Sequence, residues 1–132
     1  MRLVLTALIF LTGLWDLFLA ISFLTGPEQA ATGFGVAATG VGGVSTIRAD
    51  FTAFFGIGAL CMMWGAWRRN AELLLVPALL FGTSFVGRAI NLVLTGAYPG
   101  WQVPMAVEAA HVVLMLAAWR MLPHHKLGEI AG

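Results

Sequence analysis

Apolar residues fall in four long blocks, Leu3–Leu24, Thr46–Trp67, Glu72–Thr95 and Trp101–Leu122. Each has about the length, roughly 20 residues, that carries a helix across some 30 Å of hydrocarbon. The separators are turn formers and charges: Thr25-Gly26-Pro27-Glu28, Arg68-Arg69-Asn70 and Gly96-Ala97-Tyr98-Pro99-Gly100. A helix satisfies its own backbone hydrogen bonds, which hydrocarbon cannot do. The pattern therefore predicts an all-α integral membrane protein, a single antiparallel four-helix bundle over residues 1–132. The last two connections are short, so the spans they join are expected to pack as hairpins.

The first connection, Thr25–Ser45, is longer and is expected as an extracytoplasmic loop. Pro27 suits the first position of a helix and Glu28 its positive end, which predicts a short interfacial helix over about 27–33. Beyond it Gly33, Gly35, Gly40, Gly42 and Gly43 read as a flexible lid. No Gly-Lys-Ser/Thr follows them, so they are not a phosphate loop. On the second span Ala49, Thr52, Gly56, Ala59 and Ala66 share one face. Small residues so spaced let helices approach closely. An intramolecular seam is the first reading and a homodimer seam the second.

Composition agrees with the pattern. Of 132 residues 60% are hydrophobic and 10% charged, against about a quarter charged in soluble domains. The net charge of +1, with no basic patch beyond Arg68-Arg69, gives no footprint for nucleic acid. The one cysteine, Cys61, excludes an internal disulfide and lies in an apolar run, where it acts as a small hydrophobe. Arg2 followed by Leu3–Leu14 resembles the start of a signal peptide, but Asp16 interrupts the region of a cleavage site. The segment is therefore expected to stay as a helix.

Cationic residues set the expected orientation. Arg2, Arg68, Arg69, Arg120 and Lys126 lie at one set of span ends, with only Arg48 near the other. Both termini are accordingly expected in the cytoplasm, with the chain in a bacterial inner membrane. Trp64, Trp67 and Trp119 would form the inner aromatic belt, Tyr98 and Trp101 the outer one.

Charge inside hydrocarbon is costly, so such residues usually face a bundle interior and pair. With this topology Asp16, Arg88 and Glu108 each fall roughly 10–12 Å below the outer boundary, at about 1.5 Å per residue. His111 is slightly deeper, and Asn91, Arg48 and Asp50 are shallower. On the third span Ser84, Arg88, Asn91 and Thr95 form one polar stripe, while Glu108 and His111 share a face of the fourth. Thr12 and Asp16 do so on the first. Asp16, Arg48, Asp50, Ser84, Arg88, Asn91, Glu108 and His111 are therefore the candidate polar cluster. Arg88 is its natural centre, because a guanidinium can serve two carboxylates. Each member also has a plainer role. Arg88 with a carboxylate can simply tie helices, Asp50 can complement a helix N-terminus, Arg48 can snorkel, and His111 can be a satisfied core histidine.

Glu108-Ala-Ala-His111 has the spacing of two metal ligands in di-iron bundles. Such sites need a second copy, and Arg88 would oppose a cation. No metal or cofactor is expected. His124-His125 in the tail is read as solvated.

An early turn proline, Arg48 with Phe51 and Gly56 in the second span, Gly87-Arg88 in the third, Gly96 after it and Glu108 in the fourth carry a resemblance. The chain resembles, over nearly its whole length, the small bacterial membrane family catalogued as domain-of-unknown-function family 4345. The resemblance implies a four-helix inner-membrane protein with matching polar positions at Arg48, Arg88 and Glu108. It implies no particular activity, and Asp16, Asp50 and His111 are not assigned by it.

Three functions compete. The first is a non-enzymatic protein that binds a lipid-like or small amphiphilic molecule, alone or as an accessory subunit of a larger membrane complex. The second is a proton-coupled transporter or channel using Asp16, Glu108 and His111, although the inner half offers no polar path. The third is a small membrane transferase in which Arg48 and Arg88 hold an anion and His111 handles a proton. No nucleophile–base pair is recognisable for it. Membrane lipids are the expected partners, with a homodimer as a further reading.

Overall fold

The computed structural model describes residues 2–122. His124, His125 and Lys126 lie outside the described residues. The order is α1 (Arg2–Thr25), α2 (Pro27–Thr32), α3 (Gly40–Arg68), a 3-10 turn (Ala71–Leu74), α4 (Leu75–Thr95) and α5 (Gln102–Met121). α1, α3, α5 and α4 with its preceding turn are long and apolar enough to cross a membrane, which suggests a multi-pass membrane protein. Many of their outward side chains are large and apolar, among them Leu11, Trp15, Leu60, Trp64, Leu79 and Val113.

Local chemistry explains the breaks. α2 starts with Pro27 and carries Glu28 in its first turn. α3 ends at Arg69, which takes a left-handed φ of 51° so that the Asn70 N–H reaches the Gly65 carbonyl at 2.9 Å. Asn70 then caps the next turn, its Oδ1 accepting from the Glu72 N–H at 3.1 Å. Gly96, at φ 86°, ends α4. Several helical hydroxyls are satisfied within their own helix: Thr6, Thr12, Ser22 and Thr95 each donate to the carbonyl four residues back.

One expected boundary is corrected. The second span begins at Gly40 rather than Thr46, so Gly40, Gly42 and Gly43 are the first turns of a helix and not a lid. The Gly43 N–H bonds to the Thr39 carbonyl at 3.2 Å, and the Thr46 hydroxyl to the Gly42 carbonyl at 3.1 Å. Where helix bonds close in this way, glycine's propensity cost of about 1 kcal/mol per residue is overridden by context. A helix of 29 residues is roughly 44 Å long. That is longer than the roughly 30 Å of a hydrocarbon core.

α3 packs chiefly on α1, and α4 on α5, with smaller α3–α4 and α1–α5 contacts closing the ring. The contacting pairs run in opposite directions. Gly13 faces Ala59, Met62 and Met63, while Ala20 faces Gly56. Gly65 faces Leu74, and Gly58 faces Phe81. Neighbouring helices are therefore antiparallel. The small-residue face of α3 is an intramolecular seam against α1, where Thr52 donates to the Ala20 carbonyl at 3.4 Å. Ala49, at its far end, is exposed.

The core has two apolar layers. Near the chain termini Ile9, Met62, Leu74 and Met115 are fully buried. At the end that carries α2, Ala20, Phe23, Ala31, Ile47, Phe55 and Phe81 form the second. Phe34 follows α2 and lies 5.2 Å from Phe23 and 5.7 Å from Phe55, centroid to centroid, which holds the connection down on the bundle. Such aromatic pairs add about 0.5–1.5 kcal/mol beyond their buried area.

The α1–α3 seam is tight. A Cβ at Gly13 would stand 2.8 Å from Met63 Cγ and 3.2 Å from the Ala59 carbonyl oxygen. Gly13→Val is therefore expected to destabilise the bundle by about 1–3 kcal/mol. The midpoint of unfolding in detergent micelles, followed by circular dichroism, measures it, and an unchanged midpoint would refute the close approach.

Candidate functional site

Between the two apolar layers lies a polar one. α1 places Asp16 there, 1% exposed, and α5 places Glu108 and His111, 5% and 7% exposed. These two sit one turn apart, so both point inward from the same face. α4 adds Ser84 and Arg88, also one turn apart.

Glu108 joins α4 to α5. Its Oε1 accepts from the Ser84 hydroxyl at 2.5 Å and from Arg88 Nε at 2.7 Å. Its Oε2 is buried and has no hydrogen-bond partner. The Arg88 side chain remains a third exposed, whereas that of Glu108 is nearly covered. Tyr98 lies within reach of the same guanidinium.

His111 joins α5 to α1. Its Nδ1 lies 2.8 Å from the Val107 carbonyl oxygen. A carbonyl only accepts, so Nδ1 carries a hydrogen in this arrangement. Nε2 lies 3.4 Å from Asp16 Oδ2. Two lone pairs facing each other there would repel, so the pair needs one proton, as imidazolium with carboxylate or as imidazole with carboxylic acid. The Phe81 ring stacks on the imidazole with centroids 4.0 Å apart, closing it off from the aromatic layer. With His111 protonated, two carboxylates face two cations, and the charges cancel. That balance is what a low-dielectric interior requires.

The structure brings together Asp16, Ser84, Arg88, Glu108 and His111. It leaves Arg48, Asp50 and Asn91 exposed and outside the contacts of this cluster. Helical phase accounts for Asp50, which falls off the face that α3 turns inward with Ile47, Phe55, Ala59, Met62 and Ala66, whereas Arg48 shares the phase of Phe55, Ala59 and Ala66 and is exposed near the start of the helix. Thr12 donates to Leu8 instead of approaching Asp16, and Thr95 donates to the Asn91 carbonyl. Phe81, Val107 and Tyr98 were not legible as site residues. Phe81 looks like any apolar position, Val107 acts through its carbonyl, and Tyr98 reads as a belt residue. Among the described residues no group of three or more histidine, cysteine or acidic side chains is placed to hold a metal.

The described surface includes hollows. An apolar groove of about 310 Å³ runs along α4 between Phe85, Ala89, Val93 and Leu94, Val86 and Ile90. A second, about 730 Å³, lies between Arg2, Leu3, Arg120 and Met121, at the terminal end and away from the cluster. Comparison with protein-family models, curated proteins and solved structures finds no match.

The Arg88–Glu108 pair should show the asymmetry of buried ion pairs. Arg88→Met alone strands the Glu108 carboxylate and is expected to cost on the order of 2–3 kcal/mol, at the low end because Arg88 is partly solvated. Adding Glu108→Met should recover most of that loss. Denaturant titrations of the two single variants and the double variant close the cycle, and additive losses would show that the pair is not coupled.

Proposed function

We propose that this chain is a small multi-pass protein of a bacterial inner membrane that binds an anionic amphiphile at Arg88, without catalysing a reaction on it. Both termini face the cytoplasm in this reading, so the polar layer lies in the outer half of the membrane. The protein acts alone or as an accessory subunit of a larger membrane complex. The resemblance to family 4345, carried by Arg48, Gly87-Arg88 and Glu108, belongs to the same proposal.

The observation that carries the reading is the way Arg88 is used. It gives Glu108 its Nε and keeps a third of its side chain exposed. A guanidinium offers five donors in a rigid fork, so its outer edge can take a phosphate or carboxylate head group. The groove along α4 lies one step around the same helix and suits an acyl chain. Conduction is less well supported, because fully buried Ile9, Met62, Leu74 and Met115 fill the bundle toward the termini.

The test uses phosphatidylcholine nanodiscs containing graded fractions of phosphatidylglycerol, with bound lipid counted by native mass spectrometry. One phosphatidylglycerol is expected to be retained in preference to phosphatidylcholine, and Arg88→Gln should reduce that retention about tenfold, the equivalent of one charge-assisted contact. Inorganic phosphate added to pure phosphatidylcholine nanodiscs separates a lipid head group from a free anion. Retention that survives Arg88→Gln but is lost in an Arg2→Gln/Arg120→Gln variant would assign the lipid to the terminal hollow and overturn the reading.

A further inference from the structure

Glu108 is half used. Oε1 holds both Ser84 and Arg88, whereas Oε2 is buried with no partner in a side chain only 7% exposed. An ionised carboxylate with one bare oxygen in a dry interior is costly, and a proton on that oxygen removes the charge that makes it so. On the neighbouring pair His111 Nε2 and Asp16 Oδ2 are also buried without a hydrogen-bond partner, but they face each other at 3.4 Å, and His111 Nδ1 is held by the Val107 carbonyl.

We propose that Glu108 and Arg88 form a joint site for one proton and one anion, the proton on Oε2 of Glu108 and the anion on the guanidinium. This rests on the reading of Arg88 as an amphiphile site and adds its coupling. Glu108 as carboxylate neutralises Arg88 and competes with any incoming anion. Glu108 as carboxylic acid leaves Arg88 with an uncompensated positive charge, which an anionic head group then balances. Proton and anion enter together, and the charge of the polar layer is the same before and after. By linkage, each ligand raises the affinity for the other by the same factor.

The groups that face Glu108 are few. α5 supplies His111, α4 supplies Ser84 and Arg88, α1 supplies Asp16 across His111, and the α4–α5 connection brings Tyr98 to Arg88. α3 makes no close backbone contact with α5; its Arg48 and Asp50 are exposed and its Cys61 is half-buried. Of the carboxylates in the layer, Glu108 is the one in contact with the anion-binding group.

Phosphatidylglycerol is a suitable probe because its phosphodiester stays charged across the working pH range, so any pH dependence belongs to the protein. In the nanodisc assay the apparent Kd of the natural chain is expected to weaken by up to about tenfold per pH unit on the alkaline side, the slope of one linked proton. Glu108→Gln imitates the neutral acid and should bind at the acid-side strength at every pH, with the slope abolished. Calorimetry of the unmutated protein in two buffers of different ionisation enthalpy should count about one proton taken up per lipid bound under alkaline conditions. That count decides the matter even if the glutamine variant fails to fold. Arg88-dependent binding with no slope and no proton uptake would overturn the coupling and leave the amphiphile site standing. A slope that persists in Glu108→Gln would put the proton elsewhere and also overturn it. Absence of any Arg88-dependent binding would end both.

Discussion

Two carboxyl groups, Asp16 and Glu108, are buried in a bundle whose remaining core is largely apolar, and each faces a nitrogen-bearing side chain on another helix. Glu108 finds Arg88 across the α4–α5 contact, and Asp16 finds His111 across the α1–α5 contact. Left unpaired, either would cost several kcal/mol. Apolar residues alone would let these helices slide or rotate, since lipid tails are as good a partner as leucine. The polar layer gives α5 one height and one rotation relative to both neighbours. α3 needs no such pin, because it meets α1 through small residues and close backbone approach at Gly13 and Ala59.

The aromatic layer complements this arrangement. Phe23, Phe51 and Phe55 stack at the end that carries α2, and Phe34 caps them from the connection. Phe54 and Phe81 continue the contact to His111. The imidazole is thus shut off on one side by a ring, tethered to its own helix by Val107 and faced by Asp16. The exposed opening of the polar layer is at Arg88. A ligand that reached the buried carboxylate would do so by way of that guanidinium.

The apolar blocks were enough to determine four long helices able to cross a membrane, because hydrocarbon favours a chain that satisfies its own backbone. The short helix after the first span was also legible, from Pro27 and Glu28. The depth argument placed Asp16, Arg88 and Glu108 level with one another and His111 slightly deeper, since rise per residue is fixed and span borders serve as rulers. Glycines misled at Gly40–Gly43, where a soluble-protein habit of reading them as loop met a segment that closes its helical bonds.

Tertiary structure alone decided which polar residues meet. Arg48, Asp50 and Asn91 are only a little shallower by sequence, but depth does not fix rotation: the burial of Ile47, Phe55 and Ala59 turns Asp50 aside, while Arg48 shares their phase and lies exposed near the start of α3. The partition into Arg88 with Glu108 and His111 with Asp16, the bare Oε2, and the roles of Phe81 and the Val107 carbonyl depend on angstrom-scale placement between helices. A sequence carries the period of each helix and the chemistry of each side chain. The azimuth of one helix against another comes from packing all four at once, and contacts between helices are set there.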